Sequence, residues 1–189
     1  MFSGSKTAVT ALAPIPIHLI SITTPIGQMI AGAFEDGVCL LEFNEITPED
    51  FDLKSFFQNP DCELSLKPNA HLEKLKTELQ NYFEGKLKNF TVSLVPHGTE
   101  FQQRVWHLLQ TIPYGTLQSY KQQSENLNQP LAIRAIAHAN GQNPIAIIIP
   151  CHRVIGSNGK LTGYAGGLWR KKWLLELERV NSPLNGTLF

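Results

Sequence analysis

The chain reads as an α/β (α+β) protein in two parts: a small sheet-plus-helix unit over residues 1–95 and a mainly helical unit over residues 96–189. Three observations predict this. Two short apolar runs, 29–34 and 38–43, are separated by Glu35-Asp36-Gly37, a turn sequence that favours a hairpin. Leu72, Leu75, Leu79, Tyr82 and Phe83 recur at helical spacing, and Gly85 stops them. Two capping-box patterns, Thr99 with Gln102 and Ser119 with Gln122, open helices in the second half.

The remaining elements follow in order. Residues 17–23 alternate loosely, as a first strand would. Residues 47–68 are polar, hold Pro48, Pro60 and Pro68, and read as a long connection; 90–95 reads as a further strand. Pro96-His97-Gly98 marks a boundary. The helix opened by Thr99 has Phe101, Val105, Trp106, Leu108 and Leu109 as its apolar face and stops at Pro113-Tyr114-Gly115. The helix opened by Ser119 runs to about Asn126. Leu127-Asn128-Gln129 connects it to a third helix, with Pro130 in its first turn, ending at Gly141. Two short helices so joined form a helix-turn-helix pattern. The apolar run 145–149 reads as a buried strand or extended segment delivering Pro150-Cys151-His152-Arg153. A glycine-rich loop follows, and residues 168–180 read as an amphipathic helix with Trp173, Leu174 and Leu177 apolar and Glu178 in its last turn.

Composition narrows the class. With 189 residues, 42% apolar and 17% charged, the chain can bury a core. Cys39, Cys62 and Cys151 form an odd, unpaired set, against a secreted disulfide framework and against a zinc knuckle. The apolar stretch 8–22 is broken by Pro14 and Pro16 and carries His18, so neither a spanning helix nor a signal peptide is expected, and a reducing compartment is. The formal charge of zero hides a division. Residues 1–95 hold 7 Lys against 12 carboxylates, whereas 126–175 hold Arg134, Arg153, Lys160, Arg170, Lys171 and Lys172 with no carboxylate. A basic stretch of this kind is either a solvated face or a polyanion site.

The chemistry lies in the same stretch. A thiol becomes a nucleophile at neutral pH only with a base or a positive field beside it, and His152 and Arg153 bring both. Residue types alone leave Cys151 open between a small core hydrophobe and a nucleophile, and leave the reaction open as well.

The run IPCHRVIGSNGKLTGYAGG resembles the active-site signature of the O6-alkylguanine-DNA alkyltransferases, also called methylated-DNA–protein-cysteine methyltransferases. FQQRVWHLL, IPYGTLQSY, IRAIAHA, NPIAIIIP and KKWLLELE extend the resemblance over about residues 99–178, and the hairpin and the helix ending NYFEGK resemble that family's N-terminal domain. The resemblance implies a ribonuclease-H-like N-terminal fold and direct-reversal repair. Cys151 would take the alkyl group from an everted O6-alkylguanine, and from O4-alkylthymine, in one irreversible displacement. His152, through water, would hold the thiol proton and Glu178 would orient the imidazole. Tyr120 would donate to the leaving guanine, and Asn143 would tie the recognition helix to the active-site segment. Backbone groups of Cys151, Val154 and Ala165 would read the base edge, and the loop bearing Gly163, Tyr164, Gly166 and Gly167 would close over it. Arg134 would fill the gap left by the everted nucleotide, with Ala135 and Ala137 giving the helix a slim face for the minor groove. Lys160, Arg170, Lys171 and Lys172 are candidate phosphate contacts.

The resemblance further implies a monomer acting on double-stranded DNA, without cofactor or metal, in the cytoplasm of a bacterium or the nucleus of a eukaryote. Three departures bear on DNA affinity: Gln123-Ser124 stands where the family has Leu-Ala, Asn128 where the turn has Gly, and His138 where a small residue is usual. Two other functions are weighed against transfer. One is a non-catalytic alkylated-DNA lesion-binding protein, whose relatives replace the acceptor cysteine; the other is a cysteine hydrolase using Cys151 and His152.

Overall fold

A computed structural model describes residues 15–57 and 62–182. The first half is a sheet of four strands in the order β3-β2-β1-β4: β1 (Ile15–Thr24), β2 (Gly27–Ala33), β3 (Val38–Phe43) and β4 (Cys62–Ser65). β1, β2 and β3 pair antiparallel, with Ile20 opposite Ala31 and Ala31 opposite Leu41. Helix α1 (Leu53–Phe57) lies before β4, and helix α2 (Ala70–Phe83) follows it. Asn69 caps α2 by accepting from the Leu72 N–H, and Gly85, at φ 72, ends it in the left-handed conformation that glycine adopts without steric cost. Leu72, Leu75, Leu79 and Tyr82 of α2 share the main core with Met29, Ala31, Val38 and Leu41 of the sheet. A second cluster, with Ile17, Leu19, Leu40, Cys39, Cys62 and Leu53, fills the other face.

The second half contains α3 (Glu100–Gln110), α4 (Tyr120–Asn126), α5 (Ile133–Gly141) and α6 (Leu168–Val180), with a two-strand parallel pair, β5 (Gln118–Ser119) and β6 (Val154–Ile155). Both capping boxes form as the sequence predicts. Trp106 of α3 donates through Nε1 to the Ala139 carbonyl of α5 at 2.8 Å, tying the two helices together. The main core is continuous across residue 96, because Val105, Trp106, Ile136, Ile145 and Leu174 belong to the same cluster as the sheet. Among the described residues no helix is long and apolar enough to cross a membrane; residues 8–14 of the broken apolar stretch lie outside the described part, and residues 15–22 of it belong to β1.

Four sequence expectations change. The connection 47–68 contains α1 and β4, which pairs parallel to β1 with Ile17 opposite Leu64. Residues 90–95 form a single bridge, Val38 with Leu94, because the Thr91 and Val92 N–H groups donate to the Glu78 carboxylate of α2 rather than to a neighbouring strand. Helix α5 begins at Ile133, since Pro130 and Leu131 belong to a turn closed by the Ala132 N–H on the Gln129 carbonyl. Residues 145–149 are a sequence of tight turns in which Ile147 stands at φ 72. For a β-branched residue that conformation costs about 1–3 kcal/mol, and it lies four residues before Cys151.

Candidate active site

Cys151 opens a 3-10 turn, Cys151–Arg153, at the end of those tight turns. It is 9% exposed. The turn, rather than an extended strand, decides where the next two side chains go: His152 and Arg153 both point inward to Glu178 of α6. His152 Nε2 is 2.9 Å from Glu178 Oε1. A carboxylate only accepts, so Nε2 carries the proton and Nδ1 keeps its lone pair. Arg153 binds the same carboxylate with two nitrogens, each at 2.9 Å, and donates a third bond to the Ile112 carbonyl. Tyr82 Oη at 2.8 Å and the Gly115 N–H at 3.0 Å complete the set. Burial pushes the Glu178 carboxyl up, but His152 and Arg153 outweigh it and hold Glu178 well below the usual carboxylate range. Burial holds His152 below its ordinary value, so the imidazole is neutral at pH 7.

The sulfur has its own partner. Asn143 Nδ2 lies 3.3 Å from Cys151 Sγ and 2.8 Å from the Ile149 carbonyl, while its Oδ1 accepts from the Ile145 N–H. Asn143 therefore ties both ends of the strained turn together and presents a donor to the thiol. Burial pushes the Cys151 thiol up; the Asn143 hydrogen bond and the Lys171 charge pull it back.

A cavity of about 490 Å³ opens over Cys151, lined by Tyr120, Arg134, Ala137, Tyr164 and Ala165 among others. Tyr120 stands at the first position of α4, half-buried; burial raises its hydroxyl pKa and a Thr162 hydrogen bond lowers it. Arg134 is exposed on α5. A second cavity of about 300 Å³ reaches Cys151 from the sheet side, past Glu42, Phe43, Phe56 and Gly166. A Cβ on Gly166 would stand 2.6 Å from the Phe43 ring, so glycine is needed for the loop to lie this close.

Several expected site residues lie elsewhere. Val154 is fully buried behind the cavity: its N–H donates to the Cys151 carbonyl and its own carbonyl accepts from Lys171. Ala135 and Lys160 are exposed, and neither is among the residues lining the cavity; Lys160 sits in a hydrogen-bonded turn with Gly156 and Asn158. Lys171 and Arg170 are not free for phosphate. Lys171 is fully buried, its Nζ donating to the carbonyls of Val154 at 2.6 Å, Thr162 at 2.7 Å and Gly163 at 3.2 Å. Arg170 donates to Ile26 and Gly166 carbonyls and lies over the Phe43 ring at 4.5 Å. Carbonyl clusters that lack other donors draw these cations inward.

Sequence reading named Lys171 only as a phosphate contact and missed its buried place beside Cys151. The buried stripe of α6 is Lys171, Leu174, Leu175 and Glu178, a helical i, i+3, i+4, i+7 series with a charge at each end. Reading Leu174 with Leu175, rather than with Trp173 and Leu177, would have found both charges on one inward face.

A buried thiol beside a His–Glu–Arg network, opening toward a helix-turn-helix, defines a cysteine-dependent group-transfer protein with a nucleic-acid-binding element. Comparison with known proteins makes this particular. Residues 100–180 match the family model described as 6-O-methylguanine DNA methyltransferase, DNA binding domain, and residues 17–96 match its ribonuclease-like domain. Methylated-DNA–protein-cysteine methyltransferase of Mycobacterium leprae is 43% identical over 173 residues, covering 92% of this chain and 99% of that one. Its counterpart in Methanosarcina acetivorans is 43% identical over 155 residues, covering 82% and 94%. The crystal structure of the Mycobacterium tuberculosis O6-methylguanine methyltransferase superposes with a TM-score of 0.75 at 42% identity, covering 89% and 96%. The same organism's OGT in complex with DNA superposes at 0.74, covering 91% and 99%. The chain belongs to the 6-O-methylguanine DNA methyltransferase family.

Proposed function

We propose that this protein repairs alkylated duplex DNA by moving the alkyl group from O6 of an everted guanine to Cys151, once per chain. The observation that carries the reading is the position of Cys151: it lines one cavity together with Tyr120 and Arg134. The thiol proton leaves through water to His152 Nδ1, the nitrogen that Glu178 leaves free. The sulfur then attacks the alkyl carbon; the S–C bond forms, the O6–C bond breaks, and its electron pair passes into the guanine ring. Tyr120 donates a proton to that ring as negative charge develops, and the proton taken up by His152 returns through solvent to restore the phenol. The products are guanine and an S-alkylcysteine, a thioether with no nearby group able to reverse it.

Arg153 and Glu178 are positioning residues, since they act through His152. Arg134, on the helix beside the cavity, is the residue placed to occupy the stack that the everted base leaves. Eversion costs a few kcal/mol, less at a damaged pair, and that difference selects for lesions. The slim face of α5, with Ala135 and Ala137, suits a minor groove, and O4-alkylthymine fits the same chemistry. The protein acts as a monomer.

Intact mass spectrometry after incubation with a duplex carrying O6-methylguanine tests the reading. The expected result is a gain of one methyl group, mapped to the Cys151 peptide and lost in Cys151→Ala, with repair stopping when protein is used up. Tight binding with no mass gain would instead support a lesion-binding protein, and continued turnover a hydrolytic enzyme.

A further inference from the structure

The turn between α4 and α5 carries an apolar side chain that the fold does not use. Leu131 is 100% exposed, and Ile133, two residues on, is 38% exposed. The turn is not a loose one. Asn128 takes the left-handed conformation at φ 56, the Gln129 N–H donates to the Ser124 carbonyl at 2.9 Å, and the Ala132 N–H donates to the Gln129 carbonyl at 2.9 Å. Pro130 occupies the second position of that last turn, where its fixed φ is favoured, and Leu131 stands at the third. The apex is thus held from both sides and loses little backbone freedom on meeting a partner.

Two further observations identify the partner surface. The apex runs directly into the first turn of α5, where Ile133 and Arg134 already line the cavity above Cys151. And residues 126–133 contain no ionised side chain at all. A contact made by this tip releases no counterions from phosphate, so its affinity comes from apolar contact with sugars and base edges.

We propose that Leu131 is a DNA-contacting residue, an apolar tip that packs into the groove beside the everted nucleotide and adds salt-independent affinity for duplex. The inference rests on the repair reading above and extends its interface beyond Arg134.

The test compares the full chain with Leu131→Ser and Leu131→Lys by fluorescence anisotropy on a labelled unmodified duplex over a series of salt concentrations, with thermal unfolding alongside. Burial of about half a leucine side chain sets the expected loss for Leu131→Ser at about fivefold in Kd. The slope of log K against log salt and the unfolding midpoint should match the parent. Leu131→Lys should steepen that slope by about 0.9, one added phosphate contact. A Leu131→Ser protein that binds as the parent does, changes the slope, or melts earlier in step with its lost affinity overturns the proposal. A parent chain that binds no duplex and accepts no methyl group removes the repair reading itself, whereas a parent that does both leaves the leucine variants to decide.

Discussion

Tyr82 of the N-terminal helix donates its hydroxyl to Glu178 of the last helix at 2.8 Å, across 96 positions of sequence and with both side chains buried. The sheet-bearing half therefore reaches into the network that orients His152. Burial, and then the Glu178 charge, push the Tyr82 hydroxyl far up, so it stays a donor at every working pH. Tyr82→Phe removes one of five donors and should cost about 1 kcal/mol, or about 2–4 °C in unfolding temperature for a chain of this size. Alkyl transfer should keep the parent rate, because His152 and Arg153 still hold the carboxylate. A collapse of transfer at unchanged stability would show that Tyr82 does more than support.

Asn143→Ala should slow transfer by about a hundredfold, the scale of losing a donor to a reacting anion. Its rate-against-pH curve should also move to higher pH, since the Asn143 amide lowers the thiol pKa. Single-turnover kinetics from pH 6 to 9 read both effects. Slower transfer with an unmoved curve would leave Asn143 only its turn-holding bonds.

Lys171 is brought down to about 8 by burial. It is therefore charged at neutral pH and supports the Cys151 thiolate. Lys171→Met should raise the Cys151 pKa and slow alkylation by iodoacetamide at pH 7, with the deficit closing as pH rises. A parallel, pH-independent slowing would mean that Lys171 serves the Thr162–Gly163 loop alone.

Acid should unfold this protein in two stages. His152 binds its proton less readily folded than unfolded, so its contribution to stability is complete above about pH 6.5 and is lost as pH falls below it. Glu178, depressed in the fold, contributes fully above about pH 4.5 and loses that contribution below it. Unfolding temperature against pH should show both limbs, and His152→Gln should flatten the upper one. An unchanged upper limb in that variant would assign it to another group.

Gln123 and Asn140 exchange two amide hydrogen bonds, at 3.1 and 2.8 Å, between the buried faces of α4 and α5. Gln123→Leu should leave the Asn140 amide unpaired and cost about 1–3 kcal/mol. Adding Asn140→Leu should recover part of that loss, a coupling that denaturant unfolding can measure. Strictly additive losses would mean that the pair is not a unit.

The local signals in the sequence determined a good deal. Asp36-Gly37 placed the hairpin, Thr99 and Ser119 with their glutamines set two helix starts to the residue, and the Pro150-Cys151-His152-Arg153 run marked a candidate thiol and its neighbours. Each of these depends on contacts within a few residues, which is why a linear reading reaches them. Tertiary structure decided the rest. Lys171 and Arg170 look like surface cations in a basic run, yet carbonyls on distant segments claim them. The run 145–149 has the composition of a strand, but Asn143 folds it into turns that aim the sulfur. β4 is weak in the sequence because its partner, β1, lies more than forty residues upstream, and only the assembled sheet gives its backbone groups a place. Interactions that close over long separations leave no period in the chain, and at this site they are the ones that set charge and direction.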